Sequence, residues 1–391
     1  MNILLCNYEY PPLGGGGGVA TALLAQELAK RHDVTVLTSK ALGTPADSMV
    51  DGVRVIRVPV FFRKQQAAAN LLSLQMYVVM AIRKGQELLQ QGHFDVINTH
   101  FVLPTGPVGD TLARIGGAPN VVSVHGGDLY DPSKWLSPHR HYMFRTWIER
   151  LLNRADRVVG QSTDTLNNIG KFYVNAATAA KTSRIPLGIK LPKAAPARRA
   201  DYGFEPDEVL LVSVGRLVMR KAVDQLIGVM DGLRDRKARL LVIGSGPQER
   251  ELTKRAADAG LQDRVRFMGY VEETEKFRLL EMSDIYVSSS QHEGFGIVFL
   301  EAMACGLPVV CYNHGGQLDF LADGVTGRIV RLNDAHGLTA ACGALIDDSD
   351  LRERIAAENR RRAADLSIER TADRYESVFH EAIASRTRKT A

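Results

Sequence analysis

Two glutamates eight positions apart border a glycine-rich turn in the last third of the chain. Glu293 and Glu301 enclose the segment Gly-Phe-Gly-Ile-Val-Phe-Leu, and the apolar run Ile297–Ala304 predicts a helix that begins just after the turn. The free amides at a helix start suit a phosphate. Because a carboxylate repels a phosphate, the two glutamates would instead accept hydrogen bonds from hydroxyl groups. A phosphate between two hydroxyl-bearing groups describes a nucleotide sugar.

A cluster of cations follows directly after a predicted strand. Gly215 opens the segment Gly-Arg-Leu-Val-Met-Arg-Lys, which contains Arg216 and ends at Lys221. Glycine permits a close approach of the backbone, and the cations converge where a pyrophosphate would lie. Taken alone, an exposed basic loop explains this segment better. In the same way, Glu301 taken alone fits a first-turn glutamate favoured by the helix dipole, and Glu293 fits a solvated loop residue.

Five consecutive glycines, Gly14 to Gly18, separate the first predicted strand from the first predicted helix. Glycines there let backbone amides approach a phosphate at the helix N-terminus. The spacing also meets the dinucleotide fingerprint, but the strand and the glycines are not joined by a tight turn. The second strand ends Leu-Thr-Ser-Lys at Lys40, without an acidic residue for a ribose, which argues against a nicotinamide cofactor. The alternative is a flexible loop with no ligand.

Short β-rich runs alternate with helical patterns along the whole chain, as in a parallel, doubly wound sheet. The predicted strands are Asn2–Cys6, Val34–Thr38, Val53–Val58, Val96–Asn98, Val121–Val124 and Val158–Gly160, then Val209–Val214, Arg239–Ile243, Val265–Met268, Ile285–Ser288 and Pro308–Cys311. The alternation breaks at Lys181–Arg199, a segment rich in Pro, Ala and Arg, which predicts an interdomain linker. Two α/β domains with a cleft between them are therefore expected.

Composition excludes several classes of protein. Among 391 residues, 45% are hydrophobic and 24% are charged, which excludes disordered, collagen-like and coiled-coil chains. The four cysteines, Cys6, Cys305, Cys311 and Cys342, are too scattered for a disulfide scaffold or a zinc site. No signal-peptide pattern opens the sequence, and the longest mostly apolar stretch, Leu71–Ile82, is too short to span a bilayer. A cytoplasmic protein is expected.

The positive charge of the chain is unevenly placed. Residues 1–184 hold 19 Lys and Arg against 13 Asp and Glu, whereas residues 185–391 hold 30 against 31. A basic first half suggests a polyanionic partner, either nucleic acid or an anionic membrane surface. Two segments combine basic with aromatic or aliphatic residues: Phe61–Lys64 with the helical stretch 66–91 behind it, and His139–Arg157. A membrane interface and a half-buried helix with a solvated basic face explain them about equally well.

In their order along the chain, these motifs resemble those of the retaining GT-B glycosyltransferases of family GT4, whose hallmark is two glutamates separated by seven residues. The matching segments are the glycine-rich loop, Val124–Asp128, Gly215–Lys221, Gly244–Pro247, Phe267–Gly269 and the stretch from Glu293 to Val310. The resemblance covers nearly the whole chain. It implies a GT-B architecture, two Rossmann-like doubly wound parallel-sheet domains facing a central cleft. Residues 1–184 would be the acceptor domain, with the C-terminal helix 369–391 packed back on it, and residues 185–368 the donor domain.

The resemblance also assigns roles to individual residues. Arg216 and Lys221 would hold the donor diphosphate and stabilise the leaving group, Glu293 would meet hydroxyls of the donor sugar, and His125 would lie near the reaction centre. Donor binding is expected at Gly15, Gly16, Gly215, Gly244, Met268, Gly269, Gly296, Ile297, Val298 and Glu301. Asp128 is the candidate for the acceptor. No metal or other cofactor is expected, and Asp348, in an Asp-Ser-Asp triplet, is predicted to cap a helix.

The implied activity is transfer, with retention at the anomeric carbon, of a hexosyl unit from a nucleotide-diphosphate sugar. UDP-sugar is favoured and GDP-mannose is the second candidate. The expected acceptor is a hydroxyl of a glycolipid, a lipid-linked saccharide or a cell-surface polysaccharide precursor, with peripheral contact to the inner face of the cytoplasmic membrane left open. The alternatives are a nucleotide-sugar epimerase of the same fold and a basic nucleic-acid-binding protein. The latter is disfavoured because the chain shows no nucleic-acid-binding motif and no block of five like charges.

The sequence departs from the family pattern at three places. Ala222 stands after the lysine where family members usually have glycine. In the hinge, Leu187 and Lys190 replace the usual Asn and Asp. After the glycine pair at 315 and 316, Leu318 and Asp319 stand where Pro and Glu are common. The glutamates and the phosphate-binding segments keep the pattern.

Overall fold

A computed structural model of the chain describes residues 1–60, 71–173, 176–192 and 195–390. The chain divides into two compact units. Unit 1 consists of Met1–Ile189 and Leu366–Ala391, and unit 2 consists of Lys190–Asp365. Unit 1 therefore extends beyond the predicted boundary at Arg184. The predicted linker is also too long at its beginning, because Thr182–Arg184 pairs as a strand with the sheet of unit 1.

Unit 1 is built on an eight-stranded sheet. Its elements are β1 (Asn2–Cys6), α1 (Gly16–Leu28), β2 (Asp33–Ser39), β3 (Asp47–Val50), β4 (Val53–Val58), α2 (Leu71–Gln91), β5 (Val96–His100), α3 (Gly106–Gly116), β6 (Asn120–Val124), α4 (Tyr142–Arg154), β7 (Arg157–Gly160), α5 (Thr163–Phe172), α6 (Ala176–Ala179) and β8 (Thr182–Arg184). The strand order is β3-β4-β2-β1-β5-β6-β7-β8, and all pairs are parallel except β3 with β4. The inner strands are buried on both faces, as expected for a parallel sheet covered by helices.

Unit 2 carries a six-stranded, wholly parallel sheet. Its elements are β9 (Val209–Val214), α7 (Val223–Gly232), β10 (Ala238–Ile243), α8 (Glu249–Asp258), β11 (Val265–Gly269), α9 (Glu273–Met282), β12 (Ile285–Val287), α10 (Ile297–Ala304), β13 (Val309–Tyr312), β14 (Gly327–Val330), α11 (Ala335–Asp347) and α12 (Ser349–Ala364). The strand order is β11-β10-β9-β12-β13-β14. The carboxylate of Asp348 accepts the Leu351 amide at the start of α12, which confirms the predicted helix cap.

In both sheets the direction of winding reverses at one point. The reversal lies between β1 and β5 in unit 1, and between β9 and β12 in unit 2. Ligands of doubly wound sheets bind outside the carboxyl ends of the strands at such switch points. In unit 1 the glycine-rich segment follows β1 and His100 ends β5. In unit 2 the Gly215–Lys221 segment follows β9, and Glu293 lies in the loop after β12.

The last helix returns the chain to unit 1. This helix, α13 (Ile368–Thr390), packs its buried side chains Ala372, Tyr375 and Phe379 into the core beneath α1. At its exposed edge, Asp373 forms an ion pair with Arg31 at 2.8 Å. Unit 1 is thus assembled from the two ends of the sequence.

The long helix α2 belongs mainly to the core of unit 1. Its side chains Tyr77, Ala81 and Leu88 are buried against β2, β4 and α3. The basic–aromatic residues Phe61–Lys64, for which the sequence left a membrane interface and a solvated basic face open, lie outside the described residues. No helix in the described ranges is both long and apolar enough to cross a membrane.

Candidate active site

The centre of unit 2 is a buried carboxylate between two cations. Glu293 is only 7% exposed, and its Oε1 lies 2.5 Å from Nζ of Lys221. Its Oε2 lies 3.3 Å from Nη1 of Arg220. Burial raises the pKa of Glu293, but Lys221, Arg220 and a hydrogen bond from Ser290 outweigh burial and lower the pKa to about 2. The carboxylate is therefore ionised at any physiological pH.

Lys221, which pairs with Glu293, is also the last residue of Gly215–Lys221, the segment predicted to bind a phosphate. Burial lowers the pKa of Lys221, and Glu293 works in the opposite direction. A side chain at Gly215 would place its Cβ 3.0 Å from Cε of Lys221, so the missing side chain makes room for the ammonium group. Arg216 is exposed at the end of β9. A recess opens beside the lysine and is lined by Ser213, Val214, Gly215, Leu217, Val223, Val242, Ser288 and Ser290.

The departure at Ala222 from the pattern of the similar family lies next to this lysine. The residue has φ of 46°, in the left-handed region that glycine adopts without strain. The hydroxyl of Ser289 donates to the Ala222 carbonyl at 2.8 Å and to the Lys221 carbonyl at 3.0 Å. This loop therefore keeps the glycine-type turn with an alanine, and Ser289 holds it in place.

Three predicted donor-binding glycines meet at the carboxyl ends of β9, β10 and β11. Gly244 donates its amide to the Gly269 carbonyl at 2.7 Å, and Gly215 donates to the Ile243 carbonyl at 2.9 Å. A Cβ on Gly244 would overlap the Gly215 carbonyl oxygen, so no other residue fits there. Met268, also predicted to bind the donor, is half-buried immediately before Gly269. The glycines bring main-chain atoms to the surface where a base or phosphate would lie.

The helix start predicted to bind phosphate is present. α10 begins at Ile297, and its N-cap Gly296 has φ of 82°, a left-handed conformation. Within the described residues, no side chain caps this helix, so the amides of Gly296, Ile297 and Val298 stay available to an anion. Gly315 and Glu293 bridge through their main chains beside this turn.

Glu301 lies on the first turns of α10 and is 3% exposed. Nζ of Lys276 lies 2.8 Å from its Oε2 and 2.8 Å from Oε1 of Glu273. Burial raises the pKa of Glu301, and Lys276 opposes that rise. Conversely, burial lowers the pKa of Lys276, but the two carboxylates raise it above its usual value. The ordinary glutamate favoured by the helix dipole, which the sequence allowed for Glu301, is thus replaced by a buried ion pair.

In unit 1, His125 follows β6 and is buried. Its ring stacks on Phe101 with centroids 4.2 Å apart. Its Nε2 lies 2.9 Å from Nδ1 of His100, the last residue of β5, and its Nδ1 is hydrogen-bonded to the amide of Gln161, which follows β7. Burial lowers the pKa of His125 well below the usual value, and His100 lowers it further. The imidazole is neutral.

Asp128 closes the turn after His125. Its Oδ1 accepts the His125 amide at 3.1 Å and its Oδ2 accepts the Val102 amide at 2.7 Å. Burial raises the pKa of Asp128 to about 6, against the lowering effect of these amides. The carboxylate therefore holds the turn in place, and a role at the acceptor stays a prediction.

The glycine-rich segment lies against this histidine. α1 begins at Gly16 with Gly15 as its N-cap, and the Gly15 amide donates to Oε2 of Glu9 at 3.2 Å. A Cβ on Gly17 would lie 2.5 Å from the Phe101 ring and 3.4 Å from Nδ1 of His125. The segment therefore needs glycine for close packing as well as for any phosphate.

Several residues around these sites were not expected from the sequence. They are Arg220, Lys276 and Ser290 in unit 2, and Asn98, His100 and Gln161 in unit 1. Arg220 lies in the basic segment Gly215–Lys221, but nothing in its spacing marked it as a partner of Glu293. Asn98 ends the predicted strand Val96–Asn98, and His100 lies two residues beyond it; the polar run Asn-Thr-His after two apolar residues was the available signal. In the described part of the chain, no three His, Cys, Asp or Glu side chains form a group that could hold a metal ion.

Two family sequence models match consecutive parts of the chain. The model described as "Glycosyl transferase 4-like domain" matches residues 15–188, and that described as "Glycosyl transferases group 1" matches residues 195–362. Together they account for most of the sequence. Each match coincides with one of the two parallel-sheet units.

Individual relatives and solved structures agree with these matches. Glycogen synthase of Mycobacterium tuberculosis is 28% identical over 390 residues, covering 93% of this chain and 89% of that protein. A GDP-mannose-dependent α-(1-6)-phosphatidylinositol monomannoside mannosyltransferase of Mycolicibacterium smegmatis is 28% identical over 365 residues, covering 88% of this chain and 89% of that protein.

Among solved structures, sucrose-phosphate synthase from Thermosynechococcus elongatus superposes with a TM-score of 0.86 at 23% identity, covering 98% of this chain and 100% of that one. Anabaena HepE in complex with UDP-glucose superposes with a TM-score of 0.76 at 20% identity, covering 98% and 100%. These likenesses establish the fold as GT-B. The two family models, which together match most of the chain, show that it belongs to the group 1 glycosyltransferases of family GT4.

Proposed function

We propose that the protein is a retaining glycosyltransferase that moves a hexosyl unit from a nucleotide-diphosphate sugar to a hydroxyl acceptor. The observation that carries the proposal is the buried Glu293 carboxylate, ionised by Lys221 and Arg220 and set beside the uncapped start of α10. A carboxylate that is kept charged in a buried site can accept hydrogen bonds from sugar hydroxyls. The cation and the helix start next to it suit the diphosphate to which that sugar is attached.

Each part of the donor has a partner in this proposal. Arg216, Lys221 and the amides of Gly296, Ile297 and Val298 bind the diphosphate. Glu301 accepts hydrogen bonds from the ribose, and the main chain at Gly244, Met268 and Gly269 meets the base. The roles of His125, Gly15 and Gly16 in unit 1 rest on the family resemblance.

The proposed chemistry needs no protein nucleophile. When the bond between the anomeric carbon and the β-phosphate oxygen breaks, negative charge grows on that phosphate. Lys221, Arg216 and the helix-start amides stabilise this charge, and each well-placed donor contributes about 3 kcal/mol. The acceptor hydroxyl attacks the same face of the sugar and gives its proton to the departing phosphate. Because these cations and amides neutralise the leaving group, we expect transfer without a divalent metal.

We favour a UDP-sugar as the donor. HepE, whose structure holds UDP-glucose, supports this choice. The mycobacterial GDP-mannose-dependent relative makes GDP-mannose the second candidate. Thermal-shift measurements with UDP, GDP and ADP separate the bases, and we expect the largest stabilisation with UDP.

The acceptor is proposed to lie at a membrane. In unit 1, an aromatic–basic surface exposes Trp135, Leu136, Tyr142, Met143 and Trp147 together with Lys134, Arg140, Arg145 and Arg150. Four of these apolar side chains are between 66% and 80% exposed. Large exposed apolar residues among cations suit the interface of an anionic bilayer. This supports a glycolipid or another lipid-linked saccharide as the acceptor, reached from the cytoplasmic face, and the free, buried cysteines fit that reducing compartment.

The test is a transfer assay with radiolabelled UDP-glucose and lipid extract, with and without EDTA. We expect Glu293→Ala, Lys221→Ala and His125→Ala each to lower kcat/KM at least a hundredfold, while Glu251→Gln, an exposed carboxylate of unit 2, retains wild-type rates. Near-normal rates in the three variants contradict the site, and loss of activity in EDTA contradicts metal independence. Proton NMR of the product shows whether the anomeric configuration is kept. An epimerase would instead release UDP and a new sugar from donor alone.

A further inference from the structure

Four buried side chains of unit 1 form one chain of hydrogen bonds whose direction can be worked out. It begins at Asn98, whose Nδ2 lies 2.9 Å from the Val121 carbonyl oxygen and 2.9 Å from Oγ of Ser123. A carbonyl oxygen only accepts hydrogen bonds, so the NH2 group of Asn98 faces it. Oδ1 of Asn98 is thereby left facing Nε2 of His100 at 2.7 Å. Because Oδ1 also only accepts, Nε2 of His100 carries a hydrogen.

The state of His100 determines that of His125. His100 is fully buried, and burial lowers its pKa to about 3, so it is neutral. A neutral imidazole with hydrogen on Nε2 has a lone pair on Nδ1. His125 places its Nε2 at 2.9 Å from that lone pair and must donate to it. Its own Nδ1 is then an acceptor, and the amide of Gln161 donates there.

Thr21 is consistent with this direction. Its Oγ1 accepts a hydrogen bond from the side-chain amide of Asn7 at 2.8 Å, so the hydroxyl hydrogen of Thr21 is left to donate. The two acceptors in reach are the Gly17 carbonyl at 2.8 Å and Nδ1 of His100 at 3.1 Å. No member of the chain has to be protonated or reversed to satisfy its neighbours.

We propose that Asn98 and His100 are positioning residues that hold His125 as a neutral imidazole with its hydrogen on Nε2, so that Nδ1 is always a hydrogen-bond acceptor. In this structure the acceptor is used by Gln161. The same edge of the ring faces Gly17, which packs too closely on Phe101 to leave room for a ligand, so a sugar hydroxyl that donates its hydrogen to Nδ1 would have to take the place of the Gln161 side-chain amide. This last step rests on the proposed function, whereas the direction of the chain does not.

Two titratable groups also face the chain. The Asp128 carboxylate binds the main-chain amide of His125, and burial raises its pKa to about 6. The ring of Tyr375, from α13, stacks on His100 with centroids 6.2 Å apart, and burial raises its pKa to about 12. Asp128 is present in wild type and in variants of Asn98 alike and contributes to both pH profiles, whereas the histidine nitrogen signals report the two imidazoles directly.

The experiment uses the full-length protein with 15N-labelled histidine. Nitrogen NMR distinguishes the two neutral tautomers from the imidazolium, and His100→Gln and His125→Gln assign the two rings. In wild type we expect His125 to keep hydrogen on Nε2 from pH 8 to pH 5.5. A wild-type His125 that carries its hydrogen on Nδ1, or that is protonated at pH 7, overturns the proposal without any variant.

Asn98→Asp then tests the link to function. A carboxylate beside Nε2 stabilises the imidazolium of His100, whose second hydrogen appears on Nδ1 and forces His125 to move its hydrogen to its own Nδ1. We expect this switch by NMR as pH falls, together with a fall in kcat/KM from pH 8 to 5.5 at least tenfold steeper than in wild type. Ser123→Ala, which removes a hydroxyl bonded to Asn98 but outside the chain, should keep the wild-type profile.

The outcomes separate the two proposals. An Asn98→Asp variant that switches tautomer but follows the wild-type pH profile contradicts the positioning role. A wild-type protein with the expected tautomers but no glycosyl transfer contradicts the proposed function alone, because the NMR measurement needs no substrate.

Discussion

Nζ of Lys221 lies 2.5 Å from Oε1 of Glu293, although the two residues are 72 positions apart in the sequence. Lys221 follows β9, and Glu293 follows β12, the strand that pairs with β9 across the switch point of the sheet. Both side chains are largely buried, at 14% and 9% exposed. The pair exists because the strand order brings the ends of these two segments together.

The pH dependence of stability follows from this pair. The pKa of Glu293 falls from 4.5 to about 2 on folding, so the carboxylate contributes its full stabilisation above pH 4.5 and loses it as pH falls towards 2. The contribution is about 3 kcal/mol. We expect Glu293→Gln to flatten the fall in unfolding free energy of unit 2 between pH 6 and 3. Hydrogen exchange of unit 2 peptides in urea measures the free energy of unfolding at each pH. If this free energy falls equally steeply with pH in wild type and in Glu293→Gln, the stabilisation of the Glu293 carboxylate by its partners is contradicted.

Removing Lys221 alone should lower the free energy of unfolding more than removing Lys221 and Glu293 together. Lys221→Met leaves a buried carboxylate with the Arg220 guanidinium at 3.3 Å and the Ser290 hydrogen bond, and we expect a loss of about 3 kcal/mol in unfolding free energy. The double variant Lys221→Met with Glu293→Gln removes both charges and should recover most of that stability. It should not recover transfer activity, because both groups are proposed to act on the donor. A double variant as unstable as the single one contradicts this account.

Lys276 is expected to act through Glu301. Without the ammonium group at 2.8 Å, burial leaves Glu301 protonated at a higher pH, and a protonated carboxyl is a poorer acceptor for ribose hydroxyls. We expect Lys276→Met to raise KM for the donor about tenfold with little change in kcat. Steady-state kinetics at pH 7 and 9 measure this, and the defect should shrink at pH 9. Glu301→Gln is the control, since its defect should not depend on pH.

The sequence predicted the central strands and the edge strand β11, and it missed the other three edge strands. The bounds of β1, β4, β9 and α10 were predicted as they stand. The three strands that were not predicted, β3, β8 and β14, each form an edge of a sheet. Edge strands are short and carry polar residues on exposed positions, as in Asp-Ser-Met-Val of β3, so they lack the apolar run that marks a buried strand.

In the candidate site, too, some residues could be found from the local sequence and others could not. The types and spacing of Glu293, Glu301 and Lys221 singled them out, and the structure buries these side chains, while their chemistry at the donor stays a prediction. The partners of these residues could not be predicted, because an ion pair such as Lys276 with Glu301 depends on how α9 and α10 lie on the sheet. No local pattern in the sequence contains that information.

The crossing of two glycine loops gives a sharp test of backbone geometry. Gly244 has φ of 129°, and a Cβ there would overlap the Gly215 carbonyl oxygen. We expect Gly244→Ala to displace the loop, lower the melting temperature by several degrees and weaken UDP binding at least tenfold. Gly228→Ala is the matched control: Gly228 is exposed within α7, and a methyl group added there would have no neighbour within 4 Å, so alanine should stabilise by up to about 1 kcal/mol. If Gly244→Ala and Gly228→Ala change the melting temperature equally in calorimetry, the close contact between the Gly244 and Gly215 loops is contradicted.

The aromatic–basic surface of unit 1 can be tested by vesicle flotation. Trp135 and Met143 are 74% and 80% exposed beside Arg140 and Arg145. We expect wild type to bind vesicles with 30% phosphatidylglycerol and to stay free of neutral ones. Each cation contributes about 1 kcal/mol at such a surface, so Arg140→Gln with Arg145→Gln should weaken binding at least tenfold. Trp135→Ser with Met143→Ser should weaken vesicle binding even in low salt, because this double substitution removes apolar contact rather than charge.

Leu42→Ser, at a fully exposed leucine of unit 1 outside this surface, should bind as wild type does. Wild-type protein that ignores anionic vesicles, or that loses binding equally in the Leu42 variant, contradicts a membrane role for this surface.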